Sequence, residues 1–266
     1  MIDLFYHFKG WGAIFIFTLF LIKNIRESFD NKTKIVYLRR RILTKKEGKM
    51  EALVNFYREV NSHSGDTYLL KKDLKIVVDR GVSNPNLSTT KLMAEYIDQN
   101  PEIIKEKVIA DCRCGCGVLG IQAALSGAKQ VFFTDSSPLA LSNTEKNIKK
   151  IGLCKSMEVI ESDLLEDIPE PVDVIFFSHL LLPGNPKRFN WLEGNLFNDG
   201  QILDRFFFQA LTFLKPDGKI FIPFNRAIGD VNGPAFFSTK RKLQARIAYN
   251  KKMSEGEIMI YEFKHF

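Results

Sequence analysis

Three aspartates follow short apolar runs in this sequence, and their placement is typical of a nucleotide-binding site. Asp111 lies in VIADCRCGCGVLGI (108–121), a stretch that predicts a buried strand, a tight turn and a helix. Asp135 ends the run VFFTD, and Asp163 ends the run MEVIESD. If these runs are parallel strands, their carboxyl ends meet at one edge of a sheet, where open α/β sheets bind ligands.

The turn after the first run offers backbone groups to a ligand. Gly115 and Gly117 permit unusual φ angles and a close approach of the ligand to the backbone. The helix that follows directs its first amide groups toward the same place. Arg113 stands where another glycine is expected. Its side chain turns to solvent, contacts the carboxylate of a cofactor or closes the site, and the sequence leaves these three interpretations open.

The acids beyond the turn predict which groups a cofactor presents. Asp135 lies about 20 residues after the turn, where an acid accepts hydrogen bonds from ribose hydroxyls. Asp163 is placed to receive an adenine amino group at the end of the third predicted strand. A dinucleotide is one candidate for such a cofactor, although a single glycine turn is weak support for it.

The rest of the chain predicts the elements that position these residues. Apolar runs alternate with helical patterns, which favours a parallel sheet with helices on both faces. We therefore predict an α/β fold, a three-layer sandwich with a doubly wound, mostly parallel seven-stranded sheet and an antiparallel C-terminal strand pair. The predicted strands are 108–112, 131–135, 157–163, 172–178 and 219–224, followed by 242–250 and 257–266.

As a set, the motifs in residues 108–224 resemble those of the class I S-adenosylmethionine-dependent methyltransferases, which have a Rossmann-like fold. Residues 111–117 match their first motif, Asp-x-Gly-x-Gly-x-Gly, except at Arg113. TDSSPLALSNTEKNIKKIGL is similar to the second motif, and ESDLLEDIPEPVDVIFFS to the third and fourth. The resemblance implies S-adenosylmethionine as the cofactor. The residues that it implies for cofactor binding are Asp111, Arg113, Gly115, Gly117, Asp135, Ser136, Asp163, Leu164 and Ser178.

The acceptor side departs from the subgroup that it most resembles, the release-factor glutamine methyltransferases. That subgroup carries Asn-Pro-Pro-Tyr after the fourth strand, where this chain reads Ser178-His179-Leu180-Leu181. The departure argues against methylation of glutamine or adenine nitrogens. We predict His179 and Ser178 as catalytic residues, with His179 a candidate general base. An exposed histidine without a role is the alternative. The residues predicted to bind the substrate are Pro85, Phe189 and Trp191. The last two lie in the tract 180–191, which is predicted to be irregular and to cover the substrate.

The distribution of charged residues along the chain indicates which class of substrate is favoured. Residues 1–49 hold 11 of the 38 basic and 4 of the 31 acidic residues, so residues 50–266 hold 27 of each sign. Because RNA binding relies on clustered Lys and Arg, a small molecule or a protein side chain is favoured over RNA as the acceptor. The alternative functions are a catalytically inactive binding module and, less favoured, a nucleotide-dependent oxidoreductase.

The first 49 residues differ from the rest. They contain an apolar run (10–22) that is shorter than the span of about 20 residues that a transmembrane helix needs. Three interpretations are open for these residues. They are an untranslated leader, with translation starting at Met50, or a membrane-surface anchor, or a helical extension of the protein. Membrane association is expected only if they are translated. The predicted domains are this extension (1–49), an N-terminal segment (50–107) and a catalytic domain (108–266).

Four cysteines indicate the compartment. Cys112, Cys114 and Cys116 alternate within the turn, and Cys154 follows later in the chain. This is neither a disulfide framework nor a zinc spacing, so we predict a cytoplasmic protein with no metal site. Small buried side chains that pack the turn are the preferred interpretation of the first three.

Overall fold

The computed structural model describes much of the chain after residue 66. The described residues all lie in the compact unit Ala52–Phe266. They are 55, 67–69, 74–86, 88–153, 155–178, 182–183, 197–198, 201–226, 233–239, 241–253 and 256–266. Of residues 50–66, the structure describes only residue 55, which is helical.

Strands and helices alternate along the described ranges. The strands are β1 (Thr67–Leu69), β2 (Lys75–Val77), β3 (Val108–Cys112), β4 (Gln130–Asp135), β5 (Met157–Glu161), β6 (Val172–Phe177), β7 (Leu182–Pro183), β8 (Phe197–Asn198), β9 (Leu214–Asn225), β10 (Leu243–Met253) and β11 (Gly256–His265). The helices are α1 (Ser88–Gln99), α2 (Val118–Leu125), α3 (Pro138–Ile151), α4 (Gln201–Phe213) and α5 (Pro234–Thr239), with a 3-10 turn at Pro101–Ile103.

A seven-stranded sheet forms the centre of the described part of the chain, in the order β10-β11-β9-β6-β3-β4-β5. The pairs β3–β4, β3–β6, β4–β5 and β6–β9 are parallel. The pairs β9–β11 and β10–β11 are antiparallel. The predicted fold class is therefore confirmed, including the antiparallel C-terminal pair.

At the centre of the sheet both faces are buried: successive strand residues point to opposite sides, and all residues of β3 are buried. The edge strand β10 is largely exposed. On one face, Ile109 and Val174 belong to a single core cluster with Leu92 of α1, Ile121 of α2 and Ile148 of α3. The opposite face is aromatic. There the ring of Phe177 stacks on that of Phe206 with centroids 4.2 Å apart, and the rings of Phe207 and Phe263 meet edge to face at 5.1 Å. Helix α4 supplies Phe206 and Phe207 to this second layer.

Two details differ from the sequence prediction. Strand β9 begins at Leu214 rather than Lys219, because Leu214 already pairs with Val172 beyond an irregularity in the β6–β9 ladder. The tract 180–191 was expected to be irregular, yet β7 within it pairs in parallel with β8. Among the helices that the structure describes, none has the length and apolarity needed to cross a membrane.

Candidate active site

The predicted cofactor-binding residues, all of which the structure describes, lie near the point where the strand order of the sheet reverses. Strands β3, β4 and β5 follow one another toward one edge, whereas β6 and β9 continue from the other side of β3. In open α/β sheets the crevice at such a switch point, beyond the carboxyl ends of the strands, is the usual ligand site. Here the neighbouring strand ends are Cys112 of β3 and Phe177 of β6, which are paired in register.

The turn between β3 and α2 is built from left-handed backbone conformations. Arg113, Gly115 and Gly117 have φ angles of 61°, 59° and 79°. A Cβ atom at Gly117 would lie 2.9 Å from Cγ2 of Thr144, so only glycine fits there without movement. A Cβ at Gly115 would meet no atom within 4 Å, so the backbone is open on that side. Arg113 thus adopts the conformation that glycine would supply, at a cost of about 1–2 kcal/mol.

Asp111 lies beneath this turn and is only 2% exposed. Its Oδ2 accepts a hydrogen bond from the backbone N–H of Gly120 at 2.8 Å. Burial raises the pKa of Asp111 to about 7, and the nearby negative charge of Asp135 acts in the same direction. The ionised carboxylate is therefore unfavourable here unless a cation or further hydrogen-bond donors reach it.

Asp135 joins the turn to the start of α3. Its Oδ2 accepts a hydrogen bond from the N–H of Gly115 at 3.1 Å, and its Oδ1 accepts one from the N–H of Ser137 at 3.0 Å. Ser137 in turn caps α3 by accepting from the N–H of Ala140. Ser136 between them is exposed. The carboxylate that was predicted from the sequence is thus fixed beside the open face of Gly115.

The third acid lies on the turn that follows β5. Asp163 has 54% of its side chain exposed and forms an ion pair with Arg205 of α4. Leu164 is buried and has a positive φ angle of 65°. The strand ladder places Glu161, two residues before Asp163, opposite Asp135. The second and third acids therefore follow neighbouring strands at the same edge of the sheet.

On the acceptor side, Ser178 lies directly after β6, and its Oγ is 3.0 Å from Oγ1 of Thr90 in α1. This contact brings the start of α1 to the same edge, and Thr90 was not predicted as a site residue. Pro85 is buried in the segment between β2 and α1. The remaining predicted residues of this side, His179, Phe189 and Trp191, lie outside the described residues.

Helix α3 connects the turn 113–117 to strand β2 by hydrogen bonds from side chains that were not predicted from the sequence. Thr144 donates from Oγ1 to the carbonyl of Gly115 at 3.0 Å. Asn147 donates from Nδ2 to the carbonyls of Cys116 and Val77 at 3.0 and 2.8 Å. Its Oδ1 also accepts from the N–H of Val77 at 2.8 Å. Asn143 and Asn147, four residues apart on one face of α3, are both fully buried in the structure. Two polar amides with this spacing do not by themselves indicate their distant partners.

The cysteines of the turn are buried free thiols. Burial raises the pKa of all three, that of Cys116 to about 12. A thiol must lose its proton to bind a metal, so these environments disfavour metal ligation. Within the described ranges, no group of three or more His, Cys, Asp or Glu side chains is arranged to hold a metal ion.

Comparison with known proteins identifies the protein family to which this chain belongs. The family model of the methyltransferase small domain matches residues 87–233, more than half of the 266-residue chain. The chain belongs to this family. The match confirms the resemblance to the class I S-adenosylmethionine-dependent methyltransferases that the motifs indicated, and it begins just before α1.

Individual relatives of the family differ in how much they share with this chain. The release factor glutamine methyltransferase of Borreliella burgdorferi is 30% identical over 173 residues, which are 63% of this chain and 58% of that protein. The ribosomal protein L11 methyltransferase of Carboxydothermus hydrogenoformans is 35% identical over 109 residues, 40% of this chain and 35% of that protein. This chain therefore spans less than two thirds of the length of either relative.

A solved structure agrees with the fold of this family member. The ribosomal protein L11 methylase of Lactobacillus delbrueckii subsp. bulgaricus superposes with a TM-score of 0.55 at 21% identity. The match covers 77% of this chain and 93% of that structure. At this level of identity the likeness supports the shared architecture of sheet and helices, and the acceptor is a separate question.

Proposed function

We propose that this chain transfers a methyl group from S-adenosylmethionine to a side chain of a protein. The observation that carries the proposal is the turn 113–117, which is open at Gly115 and flanked by Asp111 and Asp135. The family match supports the same cofactor. The names of the relatives support a protein acceptor, because they are methyltransferases of a release factor and of a ribosomal protein.

The residues at the turn fit the chemical groups of this cofactor. Asp111 is a buried carboxylate with a raised pKa, and the ammonium group of the methionine moiety would supply the cation that its ionised form lacks. Asp135 presents a fixed carboxylate for the ribose hydroxyls, with exposed Ser136 beside it. Asp163 and Leu164 form the adenine end. When bound, the cofactor supplies an electrophilic methyl group on a positively charged sulfur.

The chain itself would contribute mainly orientation, because methyl transfer is an in-line displacement whose rate depends strongly on alignment. Ser178, held by Thr90, would orient the acceptor beside the end of β6. His179 follows as the proposed general base, which would take a proton from an acceptor that must lose one. Phe189, Trp191 and Pro85 remain the proposed acceptor-binding residues.

The cofactor assignment is tested by calorimetric titration of the full chain with S-adenosylmethionine, S-adenosylhomocysteine and NADH. We expect micromolar binding of the two adenosyl compounds and none of NADH. Asp135→Asn should raise both dissociation constants at least about tenfold, which corresponds to the loss of about 1.4 kcal/mol. The matched control is Asp217→Asn, an exposed acid of β9, which should bind as the native protein does.

A catalytically inactive binding module is the second candidate function. Two observations favour it, namely that Arg113 adopts the strained conformation expected of a glycine and that Asp163 already has a partner in Arg205. Absence of binding to either adenosyl compound would support this candidate and overturn the methyltransferase proposal. Tight binding of NADH instead would support an oxidoreductase.

The acceptor class is tested with tritium-labelled methyl groups on S-adenosylmethionine. The chain is incubated with a cell extract that is then separated into protein, RNA and small-molecule fractions. We expect the label in protein, in a form resistant to ribonuclease and removed by protease. Label confined to small molecules or to RNA would overturn the proposed acceptor while leaving the cofactor assignment intact.

A further inference from the structure

The turn that carries Asp163 is shaped by its own backbone. Leu164 has a φ angle of 65°, and both it and Leu165 are buried. The N–H of Ser162 donates to the carbonyl of Asp135 at 3.1 Å, and the N–H of Asp167 donates to Oγ of Ser162 at 3.1 Å. These bonds fix the two ends of the turn. Asp163 lies between them, on the exposed side.

Helix α4 holds the middle of this turn with two side chains. Gln209, which is 8% exposed, accepts a hydrogen bond from the N–H of Leu165 at 2.9 Å. Arg205 donates from Nη2 to Oδ1 of Asp163. Because residues four apart lie on one face of a helix, Arg205 and Gln209 reach the turn together. One bond fixes the backbone next to the acid, and the other fixes the acid itself.

This arrangement leaves part of the carboxylate available. Arg205 engages Oδ1, and over the described part of the chain Oδ2 of Asp163 accepts no hydrogen bond. The Asp163 side chain is still 54% exposed. A carboxylate that a guanidinium holds at one oxygen keeps its second oxygen as an acceptor, and the contact limits the positions that this second oxygen can take. An exocyclic amino group of a purine is a donor that this acceptor could take.

We propose that Arg205 and Gln209 are positioning residues that orient Asp163 toward the adenine amino group and so set the selectivity for adenine over other purines. The inference rests on the proposed function, because it takes Asp163 to be the adenine end of the site. Neither residue was identified from the sequence, and the proposal does not require either to contact the cofactor. Their effect acts through the direction of one carboxylate oxygen and the position of the N–H of Leu165.

A purely structural role for Arg205 makes a different prediction. Its side chain is 53% exposed, and ion pairs of such exposure contribute little to folding stability. Replacing Arg205 should therefore leave the protein folded. If the ion pair of Arg205 and Asp163 has no role in binding, replacing Arg205 does not change the purine selectivity. If Arg205 instead competes with the cofactor for Asp163, its removal strengthens cofactor binding.

The test compares two ligands on the full chain by calorimetry, S-adenosylhomocysteine and S-inosylhomocysteine, in which a carbonyl oxygen replaces the amino group. The measured quantity is the ratio of their dissociation constants. We expect the native protein to prefer the adenine compound. Arg205→Gln should reduce this preference about three- to fivefold, whereas Arg205→Lys should keep most of it. Gln209→Met, which keeps the chain length without the acceptor, should reduce the preference about tenfold because the bond is buried.

The control is Thr212→Ala, an exposed position near the end of α4, which should leave the preference unchanged. Circular dichroism verifies folding, and Arg205→Gln keeps the test decisive if Gln209→Met unfolds. A native preference that Arg205→Gln leaves unchanged or increases would overturn the inference. Equal binding of both ligands by the native protein would overturn it too, and in each case the proposed function stands. Failure of the native protein to bind either ligand would overturn the proposed function itself.

Discussion

Asp111 gives the sharpest prediction for the protein without a ligand, because its burial has a consequence for stability that depends on pH. Burial raises its pKa from the ordinary value of 3.8 to about 7. The folded state therefore binds a proton that the unfolded state has already released between these two pH values. The stability that this group contributes is present in full below about pH 4 and is lost as the pH rises through about 7.

The magnitude follows from the size of the shift. Each pH unit within this window changes the free energy of unfolding by about 1.4 kcal/mol. From pH 5 to pH 7 the ionisation of Asp111 therefore lowers the stability of the native protein by about 2 kcal/mol. The effect levels off above pH 7, and the total loss by pH 8 is about 3 kcal/mol. Asp111→Asn removes the titration. Its side-chain oxygen can still accept the hydrogen bond from Gly120.

The assay is urea unfolding of the native protein and of Asp111→Asn at pH 5 and pH 8, without added cofactor. We expect the stability of the variant relative to the native protein to be about 3 kcal/mol more favourable at pH 8 than at pH 5. Asp217→Asn serves as the control, because Asp217 is an exposed acid near the start of β9. It should change stability by less than about 0.5 kcal/mol at either pH. The same relative stability of Asp111→Asn at both pH values would refute the reasoning.

Three further substitutions test the turn and its supports by the same unfolding assay. Arg113→Gly should be more stable than Arg113→Ala by about 1 kcal/mol, because both lose the same side chain and only glycine relieves the φ angle of 61°. Asn147→Leu should cost about 2–4 kcal/mol, because it leaves the partly buried N–H of Val77 and the buried carbonyl of Cys116 without these bonds. Gly120→Ala should cost about 1–3 kcal/mol, because the added Cβ would lie 2.2 Å from the ring of Phe133.

Each of these has an outcome that contradicts it. Equal stabilities of the glycine and alanine variants would mean that Arg113 is not strained. A loss below about 0.5 kcal/mol for Asn147→Leu would mean that water replaces its bonds. For Gly120→Ala, a native-like stability would show that α2 can shift away from Phe133. Adding Phe133→Leu to this variant should then give no further gain in stability.

The sequence by itself determined the sheet and the position of the site. Buried parallel strands are continuous apolar runs, so β3, β4 and β6 could be read directly, and β3 was predicted to the residue. Asp111 lies in β3, Asp135 ends β4 and Asp163 follows β5. Parallel pairing of these three strands brings their carboxyl ends to one edge whatever the loops do. This logic is local and periodic, which is why one sequence suffices for it.

The contacts that hold the site were decided by the tertiary structure. Asn147 is 31 residues from Cys116 along the chain, and Gln209 is 44 residues from Leu165. Pairings over such separations leave no periodic pattern, because they depend on how α3 and α4 pack against the sheet. The conformation of Arg113 is a further case, since the surrounding turn imposes a positive φ on a residue type that rarely adopts it. The sequence thus determined that the three acids lie at one edge of the sheet, and packing determined which side chains hold them and in what direction.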